Sequence, residues 1–189
     1  MHIFLTGAPG VGKTTVLSRT LLLLGARYEG FVTYFTAPRG APEKMLFMGD
    51  AAGPRAPCAQ NQVAWLDQAG ATPFPARFDA IGSALLARAR ALGEVIVMDE
   101  CGRLERDATA FQAEVLRCLN GDKPVLGVVR ENAGGWTQRI LSHPRVRLIY
   151  ITPENRDALP GALCASLRAS IAARAKSDTA VPDCAHAGY

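Results

Sequence analysis

The chain has 189 residues, 49% of them apolar and 20% charged, with 21 basic side chains against 17 acidic ones. That size and composition describe one globular domain able to bury its own core, which excludes a disordered chain and a small disulfide-held scaffold. The charge is spread evenly, +1 over residues 1–100 (9 basic, 8 acidic) and +3 over the remainder (12 basic, 9 acidic), so no basic block advertises nucleic acid.

The five cysteines (58, 101, 118, 164 and 184) are odd in number and lack Cys-x-x-Cys spacing. They are expected to be reduced thiols. The start of the chain shows no secretory h-region, and pure apolar runs such as Leu21-Leu22-Leu23-Leu24 reach only four residues. These features predict a soluble cytoplasmic protein.

In chain order, Ile3-Phe4-Leu5-Thr6 reads as a buried first strand, and residues 12–24 carry apolar side chains at helical spacing up to a stop at Gly25. Residues 31–35 are β-branched and aromatic. Residues 45–48 form a neighbouring strand across a Pro/Gly-rich turn at 37–42. Residues 50–77, rich in Ala, Pro, Gly and Gln, are expected to be the least structured part. A helix is predicted over 81–92, ending at Gly93. Residues 95–98 and 125–129 are continuous apolar runs, as in parallel strands covered on both faces, with an amphipathic helix over 111–119 between them. A short helix (137–141), a strand (146–151) and a last helix (159–175) follow. Trp65 and Trp136 are expected to be packing residues. The reading is a single domain over 1–176 with a flexible tail over 177–189. Strands alternating with helices give an α/β three-layer sandwich with a mostly parallel sheet and ligands at the carboxyl ends of its strands.

The strongest chemical signal is Gly7-Ala8-Pro9-Gly10-Val11-Gly12-Lys13-Thr14, which fits G-x-x-x-x-G-K-[ST], the Walker A phosphate loop, between a predicted strand and a predicted helix. Glycines let the backbone curl so that N–H groups point at phosphate oxygens, and the helix start adds its positive dipole end. Lys13 would reach the β and γ phosphates, the Thr14 hydroxyl would ligate Mg²⁺, and Thr15 is grouped with the loop as nucleotide-binding. A phosphate loop also needs a carboxylate at another strand's tip. Residues 95–98 end in Asp99-Glu100. Asp99 is the metal-side carboxylate and Glu100 the group that would orient, and take a proton from, the attacking water; the alternative is a solvated acidic strand end.

Weaker candidates are arginines. Arg130 ends a strand near the phosphate site and could neutralise γ-phosphate charge; the alternative is a partner in Glu131 or solvent. Arg103 could approach the phosphates or pair with Glu105, and Arg39 is a third candidate, on a loop expected to move. Thr152-Pro153 reads as a helix start. Asn155-Arg156 either contacts base or ribose or serves that cap.

The order of these segments resembles a known family. Val95-Ile96-Val97-Met98-Asp99-Glu100-Cys101-Gly102-Arg103-Leu104-Glu105 and Ile151-Thr152-Pro153-Glu154-Asn155-Arg156-Asp157-Ala158-Leu159 are its most diagnostic stretches. They are joined by the loop, Gly30-Phe31-Val32-Thr33 and Asp122-Lys123-Pro124-Val125-Leu126-Gly127-Val128-Val129. Over most of residues 1–160 the chain resembles the thermophile-type, cancer-related nucleoside-triphosphatases. The resemblance implies a RecA-like P-loop fold and slow hydrolysis of ATP, GTP and other nucleoside triphosphates with Mg²⁺. The chain departs from the family pattern between Tyr34 and Gly40, and Cys101 stands where Ile is usual.

The function expected is therefore Mg²⁺-dependent NTP hydrolysis. A small-molecule or nucleotide kinase, or a nucleotide-dependent switch completed by a protein partner, share the same loop chemistry. Base preference is unreadable, since no N-K-x-D guanine motif is present.

Overall fold

The continuous apolar runs become neighbouring parallel strands because each needs cover on both faces. In the computed structural model, which describes residues 1–38, 40–132 and 134–179, β1 (His2–Thr6), β2 (Tyr28–Phe35), β6 (Val95–Cys101), β7 (Val125–Val129) and β8 (Val146–Tyr150) run parallel. Strands β3 (Lys44–Asp50), β4 (Gln62–Asp67) and β5 (Gly70–Pro73) extend one side antiparallel. The eight-stranded sheet has the order β5-β4-β3-β2-β6-β7-β1-β8.

Period-two alternation divides the side chains between two cores. Ile3, Leu5, Val95, Val97, Leu126 and Val128 meet α1 (Lys13–Leu24) and α6 (Leu159–Thr179) on one face. Phe4, Ile96, Met98, Val125 and Val129 face α3 (Ser83–Leu92), α4 (Thr109–Asn120) and α5 (Gln138–Leu141) on the other. This is the expected three-layer sandwich of a P-loop NTPase. Phe111 is the hub of the second core, its ring centroid 5.2 Å from Phe31, 6.2 Å from Phe78 and 6.0 Å from Trp136. Phe4 crosses the sheet at Gly127, where a Cβ would come within 2.4 Å of its ring. Buried Glu29 takes Arg27 and Arg88, and Arg88 also pairs with Asp50, tying α3 to β2 and β3.

Several expectations are corrected. Residues 50–77 are not uniformly irregular: the β4–β5 hairpin lies inside them. Val63 and Ala64 are buried, and the Asp67 carboxylate accepts from the N–H groups of Ala69 (2.8 Å) and Gly70 (3.1 Å) to close the turn. The strands are short and interleaved with Gln and Ala, which hides their alternation. The helix expected from residue 81 begins instead with α2 (Pro75–Arg77), Pro75 sitting in the first turn, and continues through a π-type turn, Phe78–Gly82, into α3. Thr152-Pro153 opens a series of turns rather than a helix, α6 starting at Leu159. Trp65 is 40% exposed on β4 rather than packed, whereas Trp136 is buried. Cys101, Cys118 and Cys164 are buried free thiols and Cys58 an exposed one. α6 runs to Thr179, three residues into the expected tail; Arg39, Cys184 and the rest of that tail, 180–189, lie outside the described residues. Among the described residues no helix is long and apolar enough to cross a membrane.

Phe111→Ala should cost about 3–5 kcal/mol of stability, because three aromatic neighbours lose a shared partner and cannot collapse into the space. Urea unfolding followed by circular dichroism checks this; a cost below about 1 kcal/mol would contradict the hub role.

Candidate active site

The phosphate loop joins β1 to α1. Gly7 is buried with φ +137°, and a Cβ there would stand 2.6 Å from the Ile151 carbonyl oxygen, so only glycine allows the loop to turn against β8. Lys13 is folded over its own loop, its Nζ donating to the carbonyls of Gly7 (2.8 Å) and Ala8 (3.1 Å). Residues 8–10, Thr14 and Thr15 are exposed, so the loop opens towards solvent.

In the sheet β7 separates β1 from β6. The tip of β6 nevertheless reaches the loop, because Thr14 Oγ1 donates to Asp99 Oδ1 at 3.4 Å. Asp99 is only 5% exposed. Burial pushes its pKa up to about 6, the Thr14 hydrogen bond opposes this, the Glu100 charge adds to it, and Arg55 and Lys13 pull it down. Glu100 is half-buried, and its N–H donates to Thr33 Oγ1 (3.3 Å), whose own hydroxyl donates to the Asp99 carbonyl (3.3 Å). Thr33 thus pins the acidic strand tip.

Thr14, Asp99 and Glu100 line one cleft with Arg103, Glu105 and Arg130. Of the partners set out for these arginines, Glu131 and Glu105 are engaged by other groups, while Arg130 is exposed, in keeping with its solvent alternative. Glu131 accepts the Tyr150 hydroxyl (2.6 Å), and the Glu105 carboxylate, 3% exposed, accepts the Gly102 N–H (2.8 Å). The Gly102 carbonyl accepts Trp136 Nε1 (2.7 Å), and Gln112 Nε2 donates to the carbonyls of Glu105 and Arg106 (2.8 Å each). The segment from 102 to 106 is therefore clamped from three sides. Burial raises the Glu105 pKa to about 7, opposed chiefly by the Gly102 hydrogen bond.

Asn155 uses both ends of its amide on the local backbone: Oδ1 accepts the Thr152 N–H and Nδ2 donates to the Tyr150 carbonyl, each at 2.9 Å. Its neighbour Arg156 reaches the phosphate loop, donating to the Val11 carbonyl at 3.3 Å. Arg156 lines a shallow pocket with Gly12, Thr15, Val16 and the Arg19–Asp157 ion pair (3.2 Å).

A family model for NTPases matches residues 2–164. The chain belongs to this family. It is 32% identical to the nucleoside-triphosphatase THEP1 of Thermofilum pendens, across 92% of this chain and 98% of that protein. It is 27% identical to THEP1 of Natranaerobius thermophilus, across 84% and 92%. Its fold is similar to the crystal structure of THEP1 from Aquifex aeolicus, with TM-score 0.71 and 24% identity over 88% of this chain and 99% of that one. It is also similar to the solution structure of a human cancer-related nucleoside triphosphatase, with TM-score 0.65 and 23% identity over 89% and 98%. For this NTPase-family chain, Thr33, Glu105 and Trp136 are the structural contributors missing from the sequence-derived site. Glu105 stands inside a diagnostic stretch and Thr33 in the Gly30-Phe31-Val32-Thr33 segment, where their residue types could have flagged them. Nothing in sequence links Trp136 to Gly102, 34 residues away.

Glu105 titrates near 7 in the folded chain against an ordinary 4.5, so the folded state holds its proton more tightly than the unfolded state. Its contribution to stability is complete below about pH 4.5 and disappears as pH rises through about 7. The ligand-free protein should melt several degrees lower at pH 8 than at pH 5, and Glu105→Gln should flatten that slope. Thermal melts across this range test it; an unchanged slope in the variant would show the carboxyl to be ordinary.

Proposed function

We propose that the protein is a Mg²⁺-dependent nucleoside-triphosphate phosphohydrolase, slow on its own and tolerant of the base. The observation that carries the reading is the Thr14–Asp99 contact, which joins the phosphate loop to a buried carboxylate 85 residues away. Two hard oxygens, a hydroxyl and a carboxylate whose ionisation burial opposes, suit a small divalent cation. Thr14 and Asp99 would hold Mg²⁺, which would supply positive charge to the bound phosphates.

Within this reading, the backbone of residues 7–13 cradles the phosphates. Lys13 exchanges the Gly7 and Ala8 carbonyls for phosphate oxygens. Glu100, half-buried beside the site, orients the attacking water and takes its proton. Arg130, exposed and in the same cleft, neutralises charge growing on the γ-phosphate. Thr15 lies beside the α-phosphate end. Asn155 supports the turn that carries Arg156 against the loop. The chemistry is positioning and electrostatics, and low turnover is expected of a site whose arginines are exposed to solvent. Buried free thiols fit a reducing compartment, and we assign the protein to the cytoplasm.

Phosphate release from a panel of NTPs with and without Mg²⁺ tests the reaction itself. Lys13→Ala should abolish it and weaken nucleotide binding by at least ~100-fold in calorimetry. Glu100→Gln should bind nucleotide within about threefold of the parent and lose on the order of 10²–10⁴ in kcat; unchanged turnover would reject Glu100 as the base.

A further inference from the structure

We infer that the cleft beyond Glu100 binds a second, organic substrate: a small ring compound carrying an anionic group and a hydroxyl that accepts the γ-phosphoryl group. This rests on the NTP-binding reading of the same site. The cleft is lined by Thr14, Asp99 and Glu100 together with the apolar side chains of Phe35, Leu46, Leu66 and Leu104. Phe35 pairs with Leu46 across β2 and β3, and Leu66 lies on the same sheet face as Leu46 by strand alternation.

Water as nucleophile has no use for such a wall. Phe35 is 45% exposed, Leu66 and Leu104 are half-buried, and all three line the cleft that Asp99 and Glu100 line. Exposed aromatic and aliphatic surface lining a cleft with a few convergent polar groups is the composition of an organic ligand site. The wall is built by β2, β3 and β4, and β3–β5 are additional to the five parallel strands that carry the phosphate loop and its carboxylates. Charge completes the match. With Arg130 directed to the γ-phosphate, the Arg103 guanidinium in the same cleft is available to an anionic substituent of the ring.

In the transfer step, the acceptor hydroxyl oxygen forms a bond to the γ-phosphorus while the bond from that phosphorus to the β–γ bridging oxygen breaks. The electron pair leaves with the nucleoside diphosphate. The hydroxyl proton passes to the Glu100 carboxylate and then to solvent. A bound acceptor takes the place of the attacking water, so transfer and hydrolysis compete.

The test uses the full-length protein with Mg²⁺ and ATP labelled at the γ-phosphate. The probes are ribonucleosides, ribonucleoside 5′-monophosphates, quinate and 4-hydroxyphenylacetate, and the label is followed into each product. The expected result is saturable transfer to at least one anionic ring compound, with inorganic phosphate release falling as it saturates. Uncharged counterparts should be at least ~10-fold weaker. Phe35→Ala and Leu66→Ala should each raise the half-saturating acceptor concentration about 10-fold or more, whereas Trp65→Ala, on the other face of β4, should not. Label recovered only as inorganic phosphate with every probe overturns the acceptor site and leaves the hydrolase reading standing. Inhibition of phosphate release without transfer overturns the acceptor role as well. Label remaining in ATP throughout, with or without probe, overturns both readings.

Discussion

A carboxylate taken out of water needs its lost hydration replaced, and the organisation of this protein follows from how Asp99 meets that need. The side chain lies near the end of a strand covered on both faces and is only 5% exposed. There the Thr14 hydroxyl touches it, and Lys13 and Arg55 supply positive charge from further away. Burial outweighs these partners and leaves its pKa raised to about 6. The phosphate loop and the acidic strand tip are halves of one electrostatic device, and β7 between them sets their separation.

Behind the acidic strand tip the side chains are buried and hydrogen-bonded, while the arginines of the cleft are exposed. Glu105, Gln112 and Trp136 hold the segment after β6 through backbone hydrogen bonds of 2.7–2.8 Å. Trp136 also packs on Phe111, so this segment is anchored directly in the aromatic hub of the second core. Arg103 and Arg130 project from the same neighbourhood but are exposed. Fixed carboxylates and adaptable guanidiniums suit a reaction whose charge shifts as it proceeds.

What could be read in the sequence was local or periodic. The phosphate loop, the strand ending in Asp99-Glu100 and the run over 125–129 each carry their pattern within a dozen residues, and each stands where expected. The β4–β5 hairpin did not show, because strands of six and four residues with Gln, Ala and Gly leave little alternation to detect. Trp65 and Trp136 look alike as residue types, yet one sits on an exposed strand face and the other closes on Gly102. That difference comes from sheet register and helix placement rather than from neighbouring residues. Asn155 illustrates the same limit: its two readings differ only in where the amide points, and backbone groups at 150 and 152 take both ends.

The sequence by itself determined the chemistry available: a glycine-rich loop with Lys13 and Thr14, an acidic strand end, and apolar runs that need cover on both faces. Those are properties of short segments, set by backbone conformational freedom and by the cost of exposing apolar surface. Only the tertiary structure decided which distant groups meet. It joined Thr14 to Asp99, placed Glu105 beneath Gly102, and set Phe35 and Leu66 in one cleft with the reactive side chains. Each of those contacts depends on strand order and on the packing of two separate cores. Both are collective outcomes of burial across the whole chain, which no short stretch of residues encodes.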